Sequence, residues 1–259
     1  MALLNVEFFS GVLGMDTQMY VLLPEDRSAA RAMPDSREHP VLYLLHGHSG
    51  DHSAYIRRSN IELLASELDL VVVMPNGHRG FYTDSGHGYQ YFSFLAEELP
   101  TIVQNFFHVS SRREDSYVAG ISMGGYGALK LALTYPERYT AAASLSGAVE
   151  PQELVSDKPA FAVADFNANI RGIFSSSKEE TRLERLAESA VASGKELPDI
   201  YQYCGEQDML FESNLRFAHF MEKEYPADRF SFKTEEGIHN WEYWNRVMPD
   251  MLSRLLNSK

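Results

Sequence analysis

The sequence VAGISMGGYGA, residues 118–128, joins an apolar run to a segment with helical spacing, and it contains the pattern G-x-S-x-G at Gly120, Ser122 and Gly124. A serine on a sharp strand-to-helix turn exposes its hydroxyl group, and the turn brings the residues two positions before and after it so close together that glycine is required. The N-terminus of the following helix adds positive potential where an oxyanion would form. The pattern therefore predicts that Ser122 is a nucleophile; the alternative is a glycine-rich turn with an idle serine.

Outward from this turn, short apolar runs alternate with segments of helical periodicity. The predicted strands are MYVLLP, VLYLLHG, DLVVVMPNG, DSYVAG, YTAAASLSG, DIYQYCGEQD and RFSFKTEEG, and the predicted helices are SNIELLASEL, YFSFLAEELPTIVQNFF, GGYGALKLALTYP, LFESNLRFAHFMEKEY and EYWNRVMPDMLSRLL. This alternation is typical of an α/β fold with a mostly parallel sheet covered by helices on both faces. We predict a single domain over residues 1–259, with a helix kinked at Pro100. Residues 148–197 interrupt the alternation and form either a modest cap-like insertion or an ordinary pair of surface helices.

Composition argues against several classes of protein. The chain of 259 residues is 44% hydrophobic, enough for one sizeable core, and its net charge of −13 without a basic run argues against a nucleic-acid partner. No stretch approaches the roughly 20 apolar residues of a membrane span, and the first residues lack the features of a secretory signal. The single cysteine, Cys204, suits a reducing compartment. We expect a soluble cytoplasmic protein with no membrane partner, for which a homo-oligomer remains open.

A serine nucleophile needs a positioned base and an acid that orients the base. In the α/β-hydrolase fold, which G-x-S-x-G suggests, the order along the chain is serine, acid, histidine. Downstream of Ser122 only His219 and His239 remain; His219 lies within a helical segment, whereas His239 follows a strand and a glycine. We predict His239 as the base, with a surface loop histidine as the alternative. Asp208 lies just beyond the penultimate strand and is the predicted acid, because its rival Glu206 directly follows a glycine and more readily shapes the turn.

The stretch LLHGHSGDH, residues 44–52, is rich in histidine. Imidazoles and a carboxylate are ligands of hydrolytic zinc sites, and His46, His48, Asp51 and His52 come within one residue of the His-x-His-x-Asp-His signature of metallo-β-lactamase-like hydrolases. The same stretch follows an early strand, where an α/β-hydrolase supplies a second N–H for its oxyanion hole. We predict that the backbone N–H groups of His48 and Met123 form this hole, that His46 is a structural loop histidine, and that no metal or cofactor is bound. A zinc site is the alternative.

The fragments VLYLLHG.SG, VVVMPN, YTD, LAEELP, AGISMGGYGALKLAL, SLSGA, CGEQD and H.W.YW together cover almost the whole chain. In combination they resemble the esterase D branch of the α/β-hydrolases, which includes S-formylglutathione hydrolases, feruloyl-esterase-like domains and mycolyltransferases. Within that branch the chain is most similar to bacterial tributyrin esterases, which are small cytoplasmic carboxylesterases. Asn240 departs from the Ser or Glu that relatives often carry after the histidine, and residues 150–195 match least well.

The resemblance implies a triad of Ser122, Asp208 and His239 in a serine carboxylesterase that acts on short-chain acyl esters. It also matches FYTDSGHGYQYF, residues 81–92, to a loop bordering the active site, so that Tyr82 and Asp84 are expected near the substrate unless they only pack the loop. The alternatives are a thioesterase such as S-formylglutathione hydrolase and, with less support, a non-catalytic binding domain on this fold. An acyltransferase is disfavoured, because relatives with that activity are exported, whereas the first residues of this chain lack the features of a secretory signal.

Overall fold

The computed structural model describes residues 1–25, 38–86, 88–155, 165–174 and 182–258. Within them, eight strands form one sheet in the order β1-β2-β4-β3-β5-β6-β7-β8. The strands are β1 Ala2–Ser10, β2 Met15–Leu23, β3 Val41–Leu45, β4 Val71–Pro75, β5 Ser116–Ile121, β6 Ala141–Leu145, β7 Asp199–Gly205 and β8 Phe230–Glu235. Strands β1, β2 and β4 pair antiparallel, and the pairs from β4 through β3 to β8 are parallel. The predicted mostly parallel sheet is confirmed.

Helices cover both faces of this sheet in the described part of the chain. They are α1 Ala54–Arg58, α2 Ile61–Ala65, α3 Tyr91–Ser93, α4 Leu99–Phe106, α5 Met123–Thr134, α6 Phe166–Phe174, α7 Leu183–Ala192, α8 Phe211–Glu224 and α9 Trp241–Asn257. A π-helical turn, Phe94–Glu98, joins α3 to α4, and short 3₁₀ turns occur at Arg113–Asp115, Pro136–Arg138 and Pro151–Leu154. The segment SNIELLASEL is helical only over α2, so that predicted helix is shorter than expected.

The core lies in two layers, one on each face of the sheet. Along β3, Tyr43 and Leu45 face the layer with α5, α7 and α8, whereas Leu42 and Leu44 face the layer with α1, α2 and α9. Successive side chains of a strand point to opposite faces, so a strand covered on both faces needs apolar residues at every position. All five residues of β3 and all five of β4 are buried. This explains the continuous apolar runs that the sequence shows.

The edge strand β1 was absent from the predicted elements. Its residues alternate between half-buried and exposed, and the exposed positions include Leu3 and Phe9 as well as polar residues. Because apolar residues occupy both faces of this strand, the sequence does not show the alternation of apolar and polar residues that identifies a half-buried strand.

The helical segment from Tyr91 to Phe106 contains the predicted disturbance near Pro100, in the form of the π-helical turn that precedes it. Proline has no N–H, so the carbonyl four residues earlier, that of Ala96, loses its α-helical partner. The Arg138 guanidinium donates to this carbonyl at 2.8 Å. A side chain from another part of the chain therefore replaces the hydrogen bond that the proline removes.

Part of the predicted insertion, residues 148–197, lies outside the described residues, namely 156–164 and 175–181. In the remainder, α7 places Leu183, Ala187 and Ala190 in the core layer on the α5 face of the sheet. Helix α7 therefore packs on the sheet, which favours the alternative of an ordinary surface helix for this part of residues 148–197.

Candidate active site

Ser122 lies at the turn between β5 and α5, in a backbone conformation that residues with side chains rarely adopt. Its φ is 54° and its ψ is −117°. A Cβ atom on Gly120 would lie 2.4 Å from the backbone of Gly124, and one on Gly124 would lie 2.0 Å from the carbonyl oxygen of Leu45. The N–H of Ser122 donates to the Leu145 carbonyl at 2.9 Å. The surrounding backbone therefore holds the strained turn in place, and this close packing requires glycine on both sides of the serine.

The imidazole of His239 contacts both other residues of the predicted triad. Its Nε2 lies 3.0 Å from the Ser122 hydroxyl oxygen, and its Nδ1 lies 3.0 Å from each carboxylate oxygen of Asp208. A carboxylate beside Nδ1 favours the tautomer with its hydrogen there, which leaves the Nε2 lone pair to accept the serine proton. The Asp208 side chain is shielded from solvent and also accepts the Leu210 N–H at 2.8 Å. The structure thus brings the three side chains together in an arrangement suited to nucleophilic catalysis.

The loops that carry Asp208 and His239 are bound directly to each other. The Gln207 N–H donates to the Gly237 carbonyl at 3.0 Å, and the Gly237 N–H donates to the Gln207 side-chain oxygen at 2.9 Å. A Cβ atom on Gly205 would lie 2.3 Å from the Gly237 carbonyl oxygen, so the two loops are in backbone contact. The ends of the neighbouring strands β7 and β8 therefore fix the separation of Asp208 from His239.

Trp244 supports the histidine from the side, and the sequence analysis did not single it out. Its ring packs edge-on against His239 with centroids 5.0 Å apart, and its Nε1–H donates to the Ser146 hydroxyl at 3.0 Å. Trp241 packs edge-on against Trp244 at 5.3 Å. The signal available in the sequence was the pair of tryptophans, Trp241 and Trp244, that follows His239 in the first turn of a helix.

The two amides predicted for the oxyanion hole lie beside Ser122. Met123 is the first residue of α5, and His48 belongs to the loop after β3, where a Cβ atom on Gly47 would lie 3.5 Å from Ser122 Cβ. Within the described residues, neither the His48 nor the Met123 N–H has a protein acceptor. Both groups are therefore available to a substrate oxygen held over the serine.

The His48 side chain is held by contacts on several sides. Its ring lies 5.0 Å from that of Phe166 and 5.6 Å from that of Phe81, and its Nε2 lies 3.1 Å from the Asn169 side-chain oxygen and 3.2 Å from Arg79 Nε. Burial lowers the pKa of His48, so the ring is neutral near pH 7. These contacts fix the position of the His48 side chain beside the site.

The remaining histidines of the LLHGHSGDH stretch do not converge on one point. His46 is buried; its Nδ1–H donates to the Gly47 carbonyl at 2.7 Å, and its Nε2 accepts the Gly77 N–H at 2.9 Å. Both nitrogens are therefore engaged with the backbone, and burial lowers the pKa of His46 to about 4. His52 instead packs against the Tyr20 ring, with centroids 4.8 Å apart. Among the described residues, no group of three or more His, Cys, Asp or Glu side chains has the geometry of a metal site.

The structure does not bring Tyr82 and Asp84 to the catalytic cavity, as far as the described lining residues go. Tyr82 is buried, and its hydroxyl donates to the His46 carbonyl at 3.0 Å. The Asp84 carboxylate is exposed and accepts the N–H groups of Phe92 and Ser93, at 2.9 and 3.0 Å, where α3 begins. These contacts favour the loop-packing alternative for both residues, because their polar groups are engaged with the protein.

Lys130, on α5, is buried beneath the same loop. Its Nζ donates to the Thr83 hydroxyl at 3.0 Å and to the Tyr82 carbonyl at 3.3 Å, and it lies 4.3 Å from the centre of the Phe92 ring. Burial lowers the pKa of Lys130 to about 7. In the sequence this residue appears as an ordinary polar position of a helix, so its role in holding the loop was not predicted.

A cavity of about 420 Å³ opens beside the serine. Its lining includes Ser122 and His239, the loop from Gly47 to Asp51, the end of α1, and Trp241 and Trp244 of α9. The cavity therefore joins Ser122, His239 and the loop that carries His48 in one space large enough for a small organic substrate. Elsewhere, no helix in the described ranges is long and apolar enough to cross a membrane.

Comparison with known proteins agrees with this geometry. The family model described as "Putative esterase" matches residues 10–255. The chain belongs to this esterase family. An acetyl esterase of Caldicellulosiruptor saccharolyticus is 27% identical in an alignment 259 residues long that covers 96% of each chain.

Two solved structures from Staphylococcus aureus are also similar to this esterase. One is a substrate-bound fluorophosphonate-binding serine hydrolase, 32% identical with a TM-score of 0.89 over 99% of each chain. The other is an S-formylglutathione hydrolase, 32% identical with a TM-score of 0.86 over 99% of each chain. The protein is therefore an enzyme, a serine hydrolase with the α/β-hydrolase fold.

Proposed function

We propose that this esterase hydrolyses short-chain acyl esters through an acyl-enzyme on Ser122. The Ser122 Oγ attacks the ester carbonyl carbon while His239 Nε2 takes the hydroxyl proton. The tetrahedral oxyanion accepts hydrogen bonds from the N–H groups of His48 and Met123. As the bond to the leaving oxygen breaks, His239 returns the proton to the alcohol. Water then attacks the acyl-enzyme by the same steps, and none of them calls for a cofactor.

The observation that carries this proposal is the uninterrupted chain of contacts from Ser122 through His239 to Asp208, each at 3.0 Å. Asp208 would keep the proton on Nδ1 and stabilise the imidazolium that forms during each proton transfer. The strained turn and the two available amides support the same assignment, because a nucleophile and an oxyanion hole are needed together.

The test of the mechanism is Ser122→Ala. We expect the variant to fold, since Ala adds no atoms to the turn, and to lose turnover of every ester because the group that attacks the substrate is gone. A fluorophosphonate probe should label the wild type at Ser122 and leave the variant unlabelled, as mass spectrometry of the tryptic peptide would show. Near-normal activity in a variant free of wild-type enzyme would refute the mechanism.

The short acyl preference is supported by the similarity to an acetyl esterase and by the small volume of the cavity. A cavity of limited depth gains about 0.8 kcal/mol for each methylene group that it buries and nothing once it is full. We expect kcat/KM for p-nitrophenyl esters to rise over the first few carbons and then to level off or fall. A continued rise to long chains, or activation at an oil–water interface, would indicate a lipase.

A second candidate is a thioesterase, which the similarity to the S-formylglutathione hydrolase of Staphylococcus aureus favours. The same serine chemistry cleaves both bonds, so the triad does not distinguish them. Comparing kcat/KM for S-formylglutathione with kcat/KM for a butyryl oxygen ester separates the two, since an enzyme built for the thioester should prefer it by orders of magnitude.

A further inference from the structure

Two adjacent arginines line the catalytic cavity. Arg57 and Arg58 are exposed residues at the end of α1, and they share the cavity with Ser122 and His239. In the described part of the chain, neither guanidinium forms an ion pair, although the protein has 36 acidic and only 23 basic residues. Arginines elsewhere on the surface, such as Arg112, do pair with carboxylates. The cavity thus contains two guanidinium groups that have no ion-pair partner among the described residues.

One carboxylate, that of Asp51, lines the same cavity and offsets one of these charges. Its Oδ1 accepts the backbone N–H of Ser53 at 2.8 Å and the Ser53 hydroxyl at 2.6 Å, so Asp51 is engaged with its own loop. Among the described residues that line the cavity, two guanidinium groups against one carboxylate leave a net positive charge. An anionic group entering there would be attracted, even though the whole protein is acidic.

The position of the arginines is fixed by the elements that also carry the catalytic groups. The Tyr55 hydroxyl, on α1, donates to the Leu45 carbonyl at 3.0 Å, directly before the oxyanion loop. The Tyr55 ring packs edge-on against Trp241 at 5.3 Å, and the Asn245 side chain donates to the Arg58 carbonyl at 2.9 Å. Helix α1 is therefore anchored both to β3 and to α9, the helix that follows His239.

The position of the leaving group during the reaction indicates which side of the active site the arginines occupy. His239 Nε2 must reach the leaving oxygen to protonate it, so the leaving group lies against His239. The residues after this histidine, Asn240, Trp241 and Trp244, line the same cavity as the two arginines. Moving away from the serine, a leaving group would meet the tryptophan rings and the arginine side chains.

We propose that Arg57 and Arg58 select esters whose leaving group has an apolar body and carries a carboxylate. This inference rests on the proposed function, because it assigns the leaving-group side of the same active site. The aromatic rings bind the body of the leaving group, and the guanidinium groups pair with its carboxylate, a geometry that arginine suits well.

The test compares two butyrate esters of similar shape and reactivity, 3-carboxyphenyl butyrate and the neutral 3-carbamoylphenyl butyrate. At low salt we expect the wild type to prefer the anionic ester in kcat/KM by about three- to tenfold, the range for two solvent-exposed charge pairs. The double variant R57Q/R58Q should lose this preference while hydrolysing the neutral ester normally. Raising the salt from about 0.02 M to about 0.5 M should shrink the wild-type preference, since the screening length becomes shorter than the site.

Both esters form the same butyryl-enzyme, so its hydrolysis should be unchanged in R57Q/R58Q, as single-turnover decay of the acyl-enzyme would show. A charge-matched control is R185Q/K223Q, which removes two positive charges from exposed positions outside the cavity. This control should keep the preference for the anionic ester. If it loses the preference as R57Q/R58Q does, the effect belongs to net charge and the proposal is wrong.

Three further results would overturn the proposal. The wild type could show no preference at low salt, or the double variant could retain the preference. The double variant could instead lose activity on the monophenyl ester of glutaric acid, which carries its carboxylate on the acyl side. Should the double variant not fold, the salt-dependent preference of the wild type and the single variants R57Q and R58Q decide the question. Failure of the proposed function has a different signature, namely no hydrolysis of the neutral butyrate by the wild type.

Discussion

Acid should destabilise this protein through His46, well above the pH at which carboxylates are protonated. Burial lowers the pKa of His46 to about 4 from its ordinary value of 6.5. The unfolded chain therefore binds a proton between these values while the folded chain does not, so the free energy of unfolding falls as the pH drops from 6.5 toward 4. Linkage gives a loss of about 2 kcal/mol by pH 5 and about 3 kcal/mol by pH 4.

The variant H46Q isolates this contribution, because glutamine offers an N–H donor and a carbonyl acceptor without a titrating group. It should be less stable than the wild type at pH 7.5, since glutamine does not reproduce both imidazole hydrogen bonds. Between pH 7.5 and pH 5 the difference from the wild type should shift by about 2 kcal/mol in favour of the variant. Urea unfolding followed by tryptophan fluorescence at the two pH values measures both quantities.

The control Y82F removes the hydrogen bond from the Tyr82 hydroxyl to the His46 carbonyl, in the same loop, without removing an imidazole. Its cost, about 1 kcal/mol, should be equal at both pH values. If the H46Q and wild-type stabilities stay parallel from pH 7.5 to pH 5, His46 takes up its proton at the same pH in the folded as in the unfolded chain, and the reasoning fails.

Three other outcomes are expected. D208N should lower kcat by about 10⁴-fold with little change in KM, because the amide can favour the wrong tautomer of His239; a kcat within tenfold of wild type would show that another acid orients the base. G124A should destabilise the fold by about 3 kcal/mol and abolish activity, since its Cβ would lie 2.0 Å from a backbone oxygen. The control G172A lies in a helix where the added Cβ meets no atom of the described residues within 4 Å, so it should be neutral or stabilising in thermal melts. Burial lowers the pKa of Lys130 to about 7, so the unfolded state binds more protons than the folded state above pH 7. The stability of the wild type relative to K130M should therefore rise by about 2 kcal/mol from pH 7 to pH 9. An equal difference at both pH values would show that Lys130 stays charged in the fold.

The strand-to-helix turn and the chain order of the site were accessible from the sequence because they depend on local chemistry. Glycines two residues before and after Ser122 identify a turn that needs them, and the position of Asp208 follows from the end of an apolar strand. The parallel sheet was accessible for a similar reason, since its central strands β3 and β4 are covered on both faces and are therefore apolar at every position.

The rest depends on contacts between distant parts of the chain. The role of His46 rests on the Gly77 N–H beyond the next strand, and that of Trp244 on the Ser146 hydroxyl, which comes far earlier in the chain. Lys130 and Arg58 occupy positions where a polar residue is unremarkable in sequence, and only the fold brings the first beneath a loop and the second into the catalytic cavity. Local periodicity carries no information about such partners.

The direct bonding between the Gln207 and Gly237 loops holds the proposed general base, His239, beside Asp208. The ends of β7 and β8 and the ring of Trp244 position His239, whereas Ser122 belongs to the turn after β5. A change of nucleophile, for example to the thiol of cysteine, would thus meet a histidine whose orientation is already set. On this scaffold, exchange of the Ser122 side chain would leave the contacts between His239 and Asp208 in place.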